Sequence, residues 1–230
     1  LNLVMGSGFY LEMTHPQSIR ELAIDGLANV IASEFELGVG DSGVKPGIIG
    51  EIGLAYPMHP REEMVLRAAT RAQIATGAAL LIHPGRDPRA PKEAITIVQE
   101  ENGDISRTIM SHIDRTLFTV EQMIELAKTG CVLEFDLFGQ ESSYYPIAPI
   151  DLPNDATRVN YLQELIGKGY INSLVISQDV GNKIFLKRYG GNGYSHILEN
   201  VLPLMERKGF TPDEIQSIVN RNPTRLLTFV

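Results

Sequence analysis

Short apolar runs alternate with longer amphipathic segments along the chain, and this alternation predicts the fold. Each short run is apolar at nearly every position, which is typical of a strand that is buried on both faces of a sheet. The six predicted strands are residues 3–9, 47–53, 78–83, 108–112, 132–136 and 173–177. The pattern therefore indicates parallel strands that are separated by helices.

The amphipathic segments carry the start signals of helices. Thr119, followed three residues later by Gln122, predicts a capped helix start, and Thr211 followed by Pro212 predicts another. Apolar residues at helical spacing extend the prediction to the other segments. The predicted helices are residues 17–36, 61–76, 92–101, 121–128, 156–167, 194–207 and 212–220.

Six strand–helix units in sequence favour a TIM-type (β/α) barrel. In this α/β fold eight parallel strands close into a barrel, and the helices form a ring around it. An open, doubly wound sheet fits the same pattern and stays open as an alternative at this point. No linker, low-complexity tract or block of charge divides the chain. We therefore expect a single domain over residues 1–230, with about six of the eight units of a barrel.

Composition narrows the classes of partner. The chain is 43% hydrophobic and 21% charged, with a formal net charge of −8, so we expect neither nucleic acid nor an anionic membrane surface as a partner. No apolar run approaches the ~18 residues of a membrane span. The lone cysteine, Cys131, excludes an internal disulfide and is expected to be a small core residue. We expect a cytoplasmic protein.

Four ionisable residues stand at the carboxyl ends of predicted strands. They are Glu51, His83, His112 and Asp179. A single one would more often be a hydrogen-bonded core residue, but a buried charge needs a partner or a metal, and these four lie in separate units. In a barrel the carboxyl ends of the strands meet on one face, so two imidazoles and two carboxylates there predict ligands for Zn²⁺ or a similar divalent ion.

Several motifs resemble those of one family. They are Ile-His-Pro-Gly around His83, Ser-His-Ile-Asp-Arg around His112, and the segments 5–10, 50–53, 133–139 and 189–196. Together they make the chain similar to the phosphotriesterase family of the amidohydrolase superfamily, and most similar to its phosphotriesterase-related proteins. The resemblance runs nearly from end to end.

The resemblance implies a metal-dependent hydrolase with two divalent ions, for which zinc is expected. Glu51 would bridge the ions, His83 and His112 would hold one, and Asp179 would hold the other and act as the catalytic proton acceptor. A metal-bridging hydroxide would then attack an ester, phosphoester, lactone or amide bond. The family also implies N-acyl amides, such as N-acetyltaurine, among the small-molecule substrates.

The chain departs from the family pattern in one large respect. The family takes two further ligands from a His-x-His pair on the first strand, and no such pair occurs in this sequence. Residues 3–9 correspond to the third strand of the family, so we expect an N-terminally truncated barrel that lacks the first two βα units and has one incomplete metal site. The alternative is a metal-binding barrel without turnover.

Candidate substrate-binding residues follow the ligands in the sequence. Arg86 and Arg115 lie three residues after His83 and His112, where they could meet an anionic substrate group, although salt bridges to Asp87 and Asp114 are an equal alternative for each.

Tyr189 opens a glycine-containing segment after the last strand and is a further candidate. The glycines at 190, 191 and 193 also match a phosphate-binding loop, but only weakly. The sequence leaves a homodimer open.

Overall fold

Six parallel strands form one sheet at the centre of the fold. The computed structural model describes residues 2–229, and its strands are β1 (Gly6–Ser7), β2 (Ile48–Gly53), β3 (Leu80–His83), β4 (Thr108–Met110), β5 (Val132–Phe135) and β6 (Leu174–Ile176). They lie in the order β1-β2-β3-β4-β5-β6, and every neighbouring pair is parallel. Each predicted strand is confirmed, although β1 is much shorter than predicted.

The strand order decides between the two predicted architectures. A doubly wound sheet reverses its strand order at a switch point, whereas consecutive strands of a (β/α) barrel are neighbours throughout. The observed order follows the sequence without a reversal. Within the described residues the sheet stays open, because β1 and β6 each pair with one strand only. The arrangement is that of consecutive barrel strands.

Helices cover one face of this sheet. They are α1 (Gln17–Arg20), α2 (Ile24–Leu37), α3 (Pro60–Thr76), α4 (Ala90–Glu100), α5 (Ile113–Thr116), α6 (Val120–Ala127), α7 (Asp155–Gly167), α8 (Leu202–Arg207), α9 (Pro212–Gln216) and α10 (Asn222–Leu227). Alternate strand residues, among them Leu80, Met110, Leu133 and Leu174, join the helices in the main core. On the other face, the strand residues Ala79, Ile109, Val132 and Val175 form a smaller cluster with Leu226 of α10. The strands are thus buried on both faces, as their sequence predicts.

The predicted helix caps are present. The side chain of Thr119 accepts a hydrogen bond from the backbone N–H of Gln122, and the side chain of Gln122 accepts one from the backbone N–H of Thr119. Thr211 forms the same capping box with Glu214. Such a cap satisfies backbone N–H groups that the first turn of a helix leaves without partners. Both start signals were therefore correctly located from sequence.

The helix predicted over residues 17–36 is broken in two. Ala23 has extended backbone angles between α1 and α2. Arg61 donates hydrogen bonds to the backbone carbonyls of Ile19 and Leu22, which a continuous helix would have used itself. The prediction was wrong here because a side chain that is distant in sequence supplies the partners for the helix end. Among the described residues, no helix combines the length and the apolar character that crossing a bilayer requires.

Candidate metal centre

Three of the four predicted ligands converge at the carboxyl ends of adjacent strands. Glu51 lies near the end of β2, His83 is the last residue of β3, and His112 follows β4 by two residues. Oε1 of Glu51 is 2.9 Å from Nε2 of His112 and 3.3 Å from Nδ1 of His83, and the two nitrogens are 2.7 Å apart. Metal–ligand bonds of about 2.1 Å place tetrahedral ligand atoms ~3.4 Å apart, so a small outward shift would accommodate an ion.

The chemistry of these three donors fits a divalent ion. Both histidines are 4% exposed, and the three ligand atoms form the group that could hold a metal among the described residues. Two imidazole nitrogens and one carboxylate oxygen are a donor set that Zn²⁺ accepts readily, while Ca²⁺ and Mg²⁺ prefer oxygen ligands alone. A zinc-like ion therefore suits this site better than an alkaline-earth ion.

Asp136 orients His112. The two carboxylate oxygens of Asp136, just after β5, accept hydrogen bonds from the backbone N–H and from Nδ1 of His112, both at 2.9 Å. Because Nδ1 is engaged, Nε2 is the nitrogen that faces Glu51. Such an outer carboxylate fixes the tautomer and raises the basicity of a ligating imidazole. Sequence analysis gave Asp136 no role, although it also ends an apolar strand and could have been found by that signal.

Burial and neighbouring charges give the two histidines different protonation states. Burial lowers the pKa of His83 to about 4, so this ring is neutral at pH 7. Burial also disfavours a charge on His112, but Asp136 and Glu51 outweigh it and raise the pKa of His112 to about 10. Burial likewise opposes a charge on Glu51, yet hydrogen bonds to His112 and His83 hold the pKa of its carboxyl below the usual range. A metal ion that binds here must displace the proton of His112.

Asp179 lies apart from the three-residue cluster. It follows β6 by three residues, its side chain is exposed, and its backbone φ is 40°, in the left-handed region. Partial desolvation and the charge of Asp136 raise the pKa of Asp179 to about 6, and Glu51 contributes in the same direction. Because all six strands are parallel, Asp179 follows the carboxyl end of its strand, at the same end of the sheet as the cluster.

Of the two candidate arginines, Arg115 contacts the cluster directly, whereas Arg86 contacts Tyr145. The guanidinium of Arg115, 1% exposed, lies 3.1 Å from Nε2 of His83 and donates to the carbonyl of Pro84 at 3.3 Å. Arg86 is 3.5 Å from the hydroxyl of Tyr145, and its buried Nε has no hydrogen-bond partner. Desolvation lowers the pKa of Arg115, and the charge of Arg86 acts in the same direction. The two guanidinium groups therefore share one region.

The alternative to a binding role, salt bridges of Arg86 with Asp87 and of Arg115 with Asp114, is not observed among the described residues. Asp87 is paired with Arg89 at 2.8 Å, and Asp114 is paired with Arg158 at 2.6 Å. The two cations beside the cluster are thus left without a carboxylate of their own.

Two tyrosines differ in their relation to the site. The Tyr10 hydroxyl lies 3.1 Å from Nδ1 and 3.2 Å from Nε2 of His83, and burial raises the pKa of Tyr10 to about 12. Tyr10 was not among the predicted site residues, although it is the last residue of the family-like segment 5–10. Tyr189 is 53% exposed, and its ring lies near Lys183 and Arg188, away from the contacts of the cluster. Its binding role stays a prediction.

Comparison with known proteins supplies a family for this geometry. The model of the Phosphotriesterase family matches residues 1–227. A phosphotriesterase-related protein of Nematostella vectensis is 43% identical over all 230 residues, and an N-acetyltaurine hydrolase of Tetraodon nigroviridis is 41% identical. The crystal structure of a resiniferatoxin-binding protein from Rhodobacter sphaeroides is similar with a TM-score of 0.92 and 31% identity, over 97% of this chain and 62% of that one.

This chain matches only part of the length of each relative. The chain spans 66% of the length of each of the two curated relatives. The structural likeness confirms the predicted TIM-type barrel fold, of which the six strands are consecutive members. Because the family model covers all but three residues and relatives match over the full length of the sequence, the chain belongs to the phosphotriesterase family.

Proposed function

We propose that this chain is the metal-binding part of a hydrolase that uses Zn²⁺ to cleave an ester, phosphoester, lactone or amide bond. The observation that carries the proposal is the convergence of one oxygen of Glu51 with Nδ1 of His83 and Nε2 of His112 within 3.3 Å of one another. Family membership supports the same reaction class.

The mechanism divides between the ion and the residues around it. A bound divalent ion lowers the pKa of a coordinated water and polarises the substrate carbonyl or phosphoryl oxygen. Glu51, His83 and His112 would hold the ion, and Asp136 would keep Nε2 of His112 directed at it. A carboxylate oxygen of Asp179 would accept the proton of the attacking water. Its pKa of about 6 leaves it ionised at pH 7 and basic enough for that role.

The arginine pair favours a substrate with an anionic group. Arg115 is buried against His83, Arg86 is half-buried, and among the described residues neither is paired with a carboxylate, so an incoming anion would stabilise both cations. When Nδ1 of His83 binds an ion, Nε2 must carry the ring proton and can no longer accept from Arg115. Metal binding would thereby free this guanidinium for substrate.

N-acetyltaurine is the specific substrate that we propose. Two observations support it: several relatives are N-acetyltaurine hydrolases, and the sulfonate of this substrate would match the two arginines. Hydrolysis breaks the amide C–N bond, places the water oxygen on the acetyl carbon, and yields acetate and taurine. Tyr189 would line the approach to the site.

The number of ions distinguishes this proposal from its alternative. We propose two ions; Glu51 would contribute a ligand to both, and Asp179 would help to hold the second. The sequence contains no His-x-His pair that would complete the second set. That observation favours, as a second candidate, a metal-binding barrel that holds one ion and does not turn over.

Metal analysis and turnover test the two candidates together. The purified chain is loaded with Zn²⁺, its metal content is measured, and N-acetyltaurine is compared with the neutral amide N-propylacetamide. We expect hydrolysis of the sulfonate only, and loss of metal and activity in Glu51→Gln and His112→Ala. The control His59→Ala alters an exposed histidine that caps α3. Retention of metal and activity in both ligand variants would overturn the site; bound metal without turnover would select the second candidate.

Three further properties remain proposals. They are a single domain over residues 1–230, a homodimer and a cytoplasmic location. The continuous sheet supports the first, and the buried, unpaired Cys131 is compatible with the last. Limited proteolysis, sedimentation and fractionation of cells would test them in turn.

A further inference from the structure

The side chain of Gln140 joins the loop after β5 to the loop that carries Asp179. Nε2 of Gln140 donates to the backbone carbonyls of Gln178 and Asp179, each at 3.0 Å. These carbonyls lie on either side of the α-carbon of Asp179. Asp179 itself has a φ of 40°, in the left-handed region that only a few per cent of non-glycine residues adopt, Asp more readily than most.

A buried arginine fixes the backbone of Gln140. Arg158 on α7 is fully buried, and its Nη2 donates to the carbonyl of Gln140 at 2.8 Å. Its remaining donors meet Oδ2 of Asp114 at 2.6 Å and Oδ1 of Asp155 at 2.9 Å. A guanidinium that is held by two carboxylates has little freedom to rotate, so Gln140 is anchored to a rigid group.

The same network reaches the segment beyond Asp179. Oδ2 of Asp155 is 2.6 Å from Nε2 of His196, and Oδ1 accepts the backbone N–H of Gly139 at 2.9 Å. Asn192 donates to the carbonyl of Gly139. A Cβ on Gly139 would come within 3.0 Å of the His196 ring, so the two segments approach closely. The loop after β5 and the segment after β6 are therefore held together at two places.

We propose that Gln140 is a positioning residue that holds the carboxylate of Asp179 toward the metal cluster, and that Arg158 orients Gln140. The inference rests on the role proposed above for Asp179. Asp114, at one end of the network, lies two residues after His112. Its buried ion pair with Arg158, continued by the hydrogen bonds of Gln140, links the segment after a metal ligand with the loop of the proton acceptor.

The first test needs no turnover. Gln140→Leu removes both hydrogen bonds and keeps the approximate volume of the side chain. Gln163→Leu is the matched control, because Gln163, on the surface of α7, donates a hydrogen bond to the carbonyl of Lys208. Hydrogen exchange followed by mass spectrometry reports on the peptide 177–181. We expect at least tenfold faster exchange there in the Gln140 variant and no change in the control. Equal rates in the two variants would overturn the proposal, whether or not the protein is active.

The second test separates positioning from a merely structural role. With N-acetyltaurine as probe, Gln140→Leu should lower kcat about 10- to 100-fold with little change in KM, as a displaced catalytic group does. In the Asp179→Asn background the same substitution should have no further effect, and Gln140→Lys, which restores an N–H donor, should recover part of kcat. Losses that multiply in the double variant would refute action through Asp179. If the unsubstituted protein hydrolyses no probe, the proposed function fails and the exchange experiment still decides the positioning role.

Discussion

Replacing Asp136 with Asn would show whether a proton on His112 competes with the metal. Asp136 is 4% exposed, and both of its oxygens accept hydrogen bonds from His112 at 2.9 Å. Against the effect of burial, this contact and that of Glu51 raise the pKa of His112 to about 10. At pH 7 the pKa of His112 lies about three units above the pH of the solution. A metal must displace this proton, which costs about 4 kcal/mol of apparent binding free energy.

The expected result is a change in pH dependence. With Asp136 in place, the apparent Kd for Zn²⁺ should fall about tenfold per pH unit between pH 7 and 9, because one proton leaves His112 for each ion that binds. In Asp136→Asn the neutral amide no longer stabilises the imidazolium, so His112 is neutral over this range and the slope approaches zero. The loss of the outer carboxylate also lowers the intrinsic affinity about 10- to 100-fold. The variant should therefore bind Zn²⁺ about equally or up to about tenfold more weakly than the unsubstituted protein at pH 9, and about 10- to 100-fold more tightly at pH 7, where the unsubstituted protein must release the His112 proton.

The assay is a competition titration against a zinc chelator at half-unit steps of pH. Asp151→Asn is the control, since it neutralises an exposed carboxylate after a loop. It should keep the slope of the unsubstituted protein. Equal slopes in the Asp136 variant and the unsubstituted protein would refute the reasoning, and so would a flat slope in the unsubstituted protein.

Three other predictions concern stability, measured by urea unfolding of the metal-free protein. The pKa of His112 is about 10 in the fold against 6.5 as its ordinary value, so its contribution is complete below pH 6.5 and should be lost as the pH rises toward 10; stability that is constant from pH 7 to 10 would contradict this. Arg158→Met should cost about 3–5 kcal/mol, because it leaves the buried carboxylates of Asp114 and Asp155 without their partner; a loss below about 1 kcal/mol would show that they relax. Thr119→Ala should cost about 1 kcal/mol through the lost cap of α6, and Thr→Ser at the same position should cost far less.

The sequence contained most of the information on local structure. Apolar runs of five to seven residues identify buried parallel strands, and the cap at Thr119 identifies a helix start, because both signals are local. The break between α1 and α2 was missed because it depends on Arg61, about 40 residues away. The shortness of β1 was also missed, since strand length depends on pairing with β2 and not on composition alone.

Ligand prediction worked where neighbouring strands are involved. Glu51, His83 and His112 stand on β2, β3 and β4, whose carboxyl ends are adjacent in any parallel sheet with sequential order. Their convergence therefore followed once the strand order was right. The partners of Arg86 and Arg115 could not be predicted from sequence. The nearest carboxylates along the chain, Asp87 and Asp114, form salt bridges with Arg89 and Arg158 instead.

Asp179 marks the limit of that reasoning. It follows β6, four strands from β2, and strands spaced by about 4.8 Å would put the two ends ~19 Å apart on a flat sheet. Only the curvature of a barrel brings the end of β6 back toward the end of β2, and curvature is a property of the whole sheet. The tie through Gln140 then sets the remaining orientation of Asp179 locally, so the last step of assembling the site would depend on a loop contact and not on strand order.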